Sequence, residues 1–174
     1  MKRADLCQKI FDVAHLTGEF KLRSGKISNE YFDKYQFESQ PQLLEAIGQH
    51  LVELIPKETE LLGALEMGGI PLATILALKT GLPITFVRKK AKDYGTQKFA
   101  EGPELKGRNV CLIEDVITTG GQIVESATDL RSLGAIVKNV LCVIDRSEGQ
   151  TEKISSCGLT YQALFTMAEL KNSR

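Results

Sequence analysis

No Cys-x-x-Cys pair occurs in this chain, and its four cysteines, Cys7, Cys111, Cys142 and Cys157, lie far apart. Zinc sites and disulfide frameworks announce themselves by ordered cysteine spacing. Here buried cysteine acting as a small hydrophobe is the stronger reading, since two of the four stand inside apolar runs. Net charge is equally missing, because 22 Lys and Arg balance 22 Asp and Glu. That argues against nucleic acid or an anionic membrane as a general partner. No low-complexity tract interrupts the 174 residues, a length that suits one domain. The first stretch, MKRADLCQKIFDVAHL, mixes charge into its apolar positions and lacks both a long apolar core and a small-residue cleavage site. Neither a signal peptide nor a membrane span is expected, and the cytoplasm is the expected compartment. Two familiar phosphate motifs are absent as well: there is no P-loop Gly-Lys-Ser/Thr and no dinucleotide GxGxxG.

What is present alternates between strand and helix patterns. Leu6, Ile10, Val13 and Ala14 predict an amphipathic helix over 3–16. In 18–35, Gly, Ser and Asn alternate with Phe20, Leu22, Tyr31 and Phe32, which predicts short strands and a turn. A helix with a broad buried face is expected over 41–55, with Pro41 at its start. Strands are expected at 61–65, 84–87, 110–113, 136–144 and 159–165, and helices at 70–78 and 121–133. Most of 88–106, polar and basic, reads as a long loop, and loops of that length are commonly functional. This order predicts an α/β fold with a mostly parallel sheet and helices on both faces. Ligands bind such sheets outside the carboxyl ends of the strands. Three of those ends carry unusual chemistry, at 66–69, 114–121 and 145–146.

The most informative stretch is VCLIEDVITTGG, 110–121. A strand running into a Thr-Gly turn and then a helix presents backbone N–H groups and a positive helix end, which is an anion site. Thr118 and Thr119 add hydroxyl donors, and glycine allows a close backbone approach. Glu114 and Asp115 would repel a phosphate, so they suit a neutral polyhydroxyl group or a hydrated divalent metal beside it. Phosphate plus diol describes a ribose 5-phosphate. Adjacent strand residues face opposite ways, so both acids reach one sugar only if the strand bends out after Ile113. Taken singly, each residue has an ordinary role: a solvated Glu, a turn-capping Asp, helix-capping threonines. The whole string is poorly served by those roles.

LIEDVITTGG resembles the 5-phosphoribosyl 1-diphosphate (PRPP) binding motif of type I phosphoribosyltransferases. GALEMGGIPLATILA, 63–77, resembles that family's pyrophosphate loop. FVRKKAKDYGTQKFAEG, 86–102, is similar to the flexible catalytic loop of orotate phosphoribosyltransferases, and GEFKLRSGKISNEYFD, 18–33, to their orotate-site segment. The four segments follow the family's order and span most of 5–150. The resemblance implies the type I fold, one domain over 1–174, with residues 1–35 forming a hood over the base. It implies Mg2+-dependent transfer of ribosyl 5-phosphate from PRPP to orotate, within pyrimidine synthesis, through an oxocarbenium-like transition state.

Carried over by position, Glu114 and Asp115 would bind the ribose hydroxyls, and Val116, Ile117, Thr118, Thr119, Gly120 and Gly121 would wrap the 5-phosphate. Met67, Gly68 and Gly69 would meet the pyrophosphate through backbone amides; some relatives carry Lys where Gly68 stands. Arg88, Lys89 and Lys92 match the loop cations, with Lys92, Arg88 and Asp115 as the catalytic set. Tyr94 stands where several relatives have His, and at an unperturbed pKa of about 10 it is a weak proton shuttle. Arg146 would pair with the orotate carboxylate, for which the planar Arg fork is suited. Arg23, Phe32 and Thr118 complete the implied orotate set. Against these stand a surface Arg146 paired to Asp145 or Glu148, a solvated basic run, and core aromatics at Tyr31 and Phe32. Mg2+ would be held mainly by PRPP and water, near Asp115, with no direct protein ligand. The family further implies a homodimer in which loop 88–102 closes over the neighbouring subunit. His15 and His50, on expected helices, read as structural. The rival readings are a phosphoribosyltransferase for another base and a PRPP-sensing regulator without turnover; the intact loop cations weigh against the regulator.

Overall fold

The computed structural model describes residues 1–21, 25–90 and 99–173. Six strands form the main sheet: β3 (Leu61–Leu65), β4 (Ile84–Val87), β5 (Ala100–Glu101), β6 (Asn109–Ile117), β7 (Ile136–Asp145) and β8 (Thr160–Thr166). Their order is β5-β4-β3-β6-β7-β8. All neighbours run parallel except β4 and β5, which pair antiparallel at Phe86↔Glu101 and Val87↔Ala100. The chain goes from β3 through α4 (Gly69–Thr80) to β4 on one side, and from β6 through α5 (Gly121–Ser132) to β7 on the other. β3 and β6 lie side by side with Leu61 opposite Val110. Strand order therefore reverses between them, which opens a crevice at their carboxyl ends.

Alternation along the buried strands feeds two separate cores. Leu62, Ala64, Cys111 and Ile113 point to one face, where α1 (Arg3–Ala14), α3 (Pro41–Val52), α4 and α7 (Met167–Lys171) pack. Leu61, Leu65, Val110 and Leu112 point to the other, beneath α5 and α6 (Glu152–Ser156). Each fully buried Leu or Ile stabilises the sheet by about 1.5–3 kcal/mol. The two cores hold the strand ends rigidly on both sides. Cys111 and Cys142 belong to these cores, and burial pushes the Cys111 thiol up to about 12.

A second, two-stranded sheet of β1 (His15–Lys21) and β2 (Ile27–Phe32) follows α1 and pairs antiparallel from His15↔Phe32. A short helix, α2 (Tyr35–Glu38), then leads into α3. The short helices α2, α6 and α7 go beyond the expected elements, and three further differences bear on the site. Helix α1 ends at Ala14, and His15 begins a strand, because pairing with Phe32 overrides the helical apolar spacing. The long loop expected over 88–106 is interrupted by β5. The strand expected to end at Ile113 continues through Ile117, paired as far as Ile117↔Asp145, so the bend that would bring both acids to one sugar is not found.

Candidate active site

The segment from Val116 to Gly121, which runs from the last residues of β6 through a short turn into α5, lines a cavity of about 290 Å³ together with Glu114, Gln122 and Ile123. Thr118 and Thr119 are exposed there. Gly120 stands before α5 at φ +69, and a Cβ on it would come 2.5 Å from Ile154 Cγ1. Both facts demand glycine at this turn. No side chain caps α5, so the amides of its first turn keep their donors for an incoming anion. The six positions expected to wrap a phosphate are brought together.

The pyrophosphate-loop positions sit across the crevice at the end of β3. Met67 is 60% exposed, while Gly68 and Gly69 are buried at the start of α4, another helix without a side-chain cap. The peptide between Glu66 and Met67 is cis. A Cβ at Gly68 would lie 1.5 Å from Asp115 Oδ2. No side chain fits at position 68 while Asp115 keeps its place. Glu66 Oε1 accepts the Lys89 N–H at 2.6 Å, and the Arg88 N–H donates to Phe99 O at 3.0 Å. These bonds seat the start of the basic loop against the pyrophosphate loop. Lys89 is exposed, and Arg88 Nε is buried without a hydrogen-bond partner among the described residues. Lys92, Tyr94 and Arg23 lie outside the described residues.

The two acids part company, as strand alternation requires. Glu114 borders the phosphate cavity, with Oε1 accepting the Asp115 N–H at 3.1 Å. Asp115 is 1% exposed and turns toward Gly68 and the hood. There its Oδ2 is ion-paired with Lys34, and Oδ1 accepts the Val116 N–H. Burial and the neighbouring Asp115 drive the Glu114 carboxyl well above its ordinary range. Asp115 moves the other way: burial opposes its charge, but hydrogen bonds from Glu114 and Lys34 outweigh that and lower it. Glu38, 7% exposed, also faces Asp115 and is pushed up to about 8, first by burial and then by the Asp115 charge. The crevice thus holds three acids and one cation, and the negative charge concentrates on Asp115.

A further cavity of about 270 Å³ is lined by Tyr31, Phe32, Asp33, Lys34, Tyr35, Val116, Thr118 and Arg146. Phe32, Thr118 and Arg146, three of the four residues expected at the base, therefore meet in one place. Arg146 is exposed, its N–H bonds Ile117 O at 2.8 Å, and its guanidinium lies over the Phe32 ring. Asp145 is not its partner: Oδ1 accepts the Ser147 N–H at 2.7 Å and Oδ2 the Tyr161 hydroxyl at 2.9 Å. Phe32 is also a core aromatic, tilted against Phe37 at 6.5 Å, so both of its readings hold at once.

Three residues here carried no signal in the pattern. Lys34 caps the start of α2 and Glu38 ends it, and that helix is too short for periodicity. His15, expected to be remote, borders a cavity shared with Phe32 and Arg146 and is bonded to Glu30 Oε2 at 2.9 Å. His50 bonds Met1 O at 3.1 Å, a structural role as expected.

Comparison with known proteins matches this geometry to a family. A model of the phosphoribosyl transferase domain matches residues 36–160. An orotate phosphoribosyltransferase from Nocardioides sp. is 50% identical over 98% of this chain and 96% of its own length. The orotate phosphoribosyltransferase of Mycobacterium tuberculosis H37Rv, in complex with Fe(III) dicitrate, superposes with a TM-score of 0.86 at 30% identity, covering 97% of this chain and 98% of that one. The same enzyme in complex with 5-phospho-alpha-D-ribosyl 1-diphosphate gives 0.81 at 27% identity, with the same coverage of both chains. The fold with its crevice at the β3–β6 switch point thus has a family: this chain belongs to the phosphoribosyl transferases and, among them, to the orotate phosphoribosyltransferases.

Proposed function

We propose that this chain transfers the 5-phosphoribosyl group of PRPP to orotate, giving orotidine 5'-monophosphate and pyrophosphate for pyrimidine nucleotide synthesis. The observation that carries this reading is the cavity of Phe32, Thr118 and Arg146 directly beside the 116–121 turn. It sets an exposed Arg fork beside the turn proposed for the phosphate, and Val116 and Thr118 line both cavities. In this reading the amides of 116–121 hold the 5-phosphate; Asp115 orients the ribose hydroxyls, while Glu114, expected beside it, stands on the opposite face of β6 and borders the 116–121 turn instead. Amides of Met67, Gly68 and Gly69, with Arg88, Lys89 and Lys92, receive the pyrophosphate. Arg146 pairs with the orotate carboxylate, Phe32 and Arg23 border the base, and Tyr94 donates to a phosphate oxygen.

Catalysis then rests on positioning and on electrostatics that strengthen as charge separates. The anomeric carbon becomes oxocarbenium-like while the leaving diphosphate gains charge. Asp115 lies near the first of these and the loop cations near the second, so both developing charges meet their opposite. A base nitrogen of orotate, held in plane by Arg146, attacks as pyrophosphate departs, and no covalent enzyme intermediate is needed.

Among the described residues no cluster of three or more His, Cys, Asp or Glu side chains forms a metal cage. Both oxygens of Asp115 are engaged, by Lys34 and by the Val116 N–H. This donor set fits Mg2+ that is held by the diphosphate and water rather than by the protein. When bound, it would neutralise oxygens of the leaving group. We further propose a homodimer in which loop 88–102 closes over the partner's crevice. The buried free thiols of Cys7, Cys111 and Cys142 suit the reducing cytoplasm, the compartment we assign.

The test is the loss of orotate absorbance with PRPP and Mg2+, beside uracil and purine bases. Consumption of orotate alone is the expected result. Turnover of another base, or of none, would overturn the assignment.

A further inference from the structure

Asp33 closes the turn that starts α2, accepting the Tyr35 N–H at 3.1 Å and the Gln36 amide at 2.9 Å. The Glu38 N–H bonds Lys34 O at 3.2 Å, which sets Lys34 and Glu38 one turn apart on one face. That face is aimed at Asp115. Phe37, fully buried between them in sequence, anchors the turn in the core. The Lys34 ammonium takes Asp115 Oδ2 and also lies 5.2 Å from the Tyr35 ring centroid. Glu38 Oε1 is buried and has no hydrogen-bond partner among the described residues. A buried carboxyl in that position costs stability unless it serves something.

We propose that Lys34 and Glu38 are positioning residues for the sugar-binding acid: from the hood side, Lys34 supplies the counter-ion and Glu38 a hydrogen-bond donor that together hold the Asp115 carboxylate, charged, against Gly68. The inference rests on the reading that Asp115 serves the ribose of PRPP. The charged and titratable groups facing Glu38 are Asp115, Lys34 and Asp33, with Glu114 next to Asp115 on β6. Three acids beside one ammonium in a buried space cannot all ionise. Glu38 keeps its proton at neutral pH and gives it to a hydrogen bond with Asp115, and Asp115 keeps the charge opposite Lys34. Once Glu38 loses its proton, two carboxylates face each other and Asp115 is no longer held in place.

The experiment measures PRPP binding calorimetrically at constant Mg2+, from about pH 6.5 to about pH 9. The wild type, Glu38→Gln, Glu38→Leu and Lys34→Met are compared. Gln still donates, so Glu38→Gln should bind within about 3-fold of wild type and lose the weakening that wild type shows on passing pH 8. Glu38→Leu and Lys34→Met should bind PRPP about 10-fold or more weakly, and Glu38→Leu, outside the base cavity, should leave the KM for orotate unchanged. Ionisation of PRPP itself is common to all four proteins and cancels in the comparison. Thermal midpoints identify any variant that fails to fold, and Glu38→Gln, close in shape to Glu, keeps the test open. If Glu38→Leu binds like wild type, or Glu38→Gln folds yet binds no better than Glu38→Leu, the proposal is overturned. Wild type without affinity for PRPP would instead overturn the functional reading on which it rests.

Discussion

Arg146 lies over the ring of Phe32, with its guanidinium carbon 5.9 Å from the ring centroid. The contact holds a long, exposed side chain at the mouth of the cavity proposed for the base. A charge-assisted bond to a carboxylate contributes about 1.5–3 kcal/mol. Arg146→Gln should therefore lower kcat/KM for orotate by roughly 10- to 150-fold and leave PRPP binding intact. An equal loss for both substrates would place Arg146 elsewhere in the reaction.

Gly68 and Asp115 Oδ2 share a space with no room for a methyl group. Gly68→Ala must displace Asp115 or its own loop. We expect a loss of about 1–3 kcal/mol in stability, read by denaturant unfolding. The KM for PRPP should rise more than that for orotate. A Gly68→Ala protein with unchanged stability and kinetics would show that Asp115 does not hold this position in solution.

The acids of the crevice make stability depend on pH. Glu38 has its pKa raised from 4.5 to about 8, and Glu114 is also raised. The folded state then binds protons more tightly than the unfolded chain, so this contribution is full below about pH 4.5 and is lost as pH climbs toward 8. Asp115, lowered from 3.8, acts oppositely and only in more acidic solution. Thermal midpoints should fall between these limits, and Glu38→Gln should flatten the fall. Identical slopes in both proteins would assign the titration to another group.

If loop 88–102 acts on the partner's crevice, two crippled subunits can repair each other. Lys92→Ala and Asp115→Asn homodimers should each be nearly inactive. Mixed dimers should recover one working site, made from the intact loop of one subunit and the intact crevice of the other. Confirmed heterodimers without activity would refute loop sharing.

Much of the fold was legible because it depends on local pattern. The apolar runs at 61–65 and 84–87 coincide with β3 and β4, and β3, buried along its whole length, carries no polar side chain. The 116–121 turn was legible because close approach and open amides require its glycines. What was hidden depends on contacts distant in sequence. Nothing near His15 reveals that Phe32 will pull it into a strand. Lys34 and Glu38 look like ordinary surface charges until the hood folds onto β6 and buries them beside Asp115. The extension of β6 to Ile117 needs β7 as a partner, and the two residues of β5 are too few for any period to register.

The antiparallel ladder of β4 and β5 has a practical side. Val87 sits opposite Ala100, and the Arg88 N–H reaches Phe99 O, so the basic segment leaves and rejoins the sheet at neighbouring points. Its two ends are already closed by backbone bonds that owe nothing to the residues between. Loops from relatives, longer or shorter, can be grafted there at little cost, because doubling a loop's length adds only about 0.6 kcal/mol of closure entropy. The same scaffold can in that way compare different sets of loop cations on one unchanged crevice.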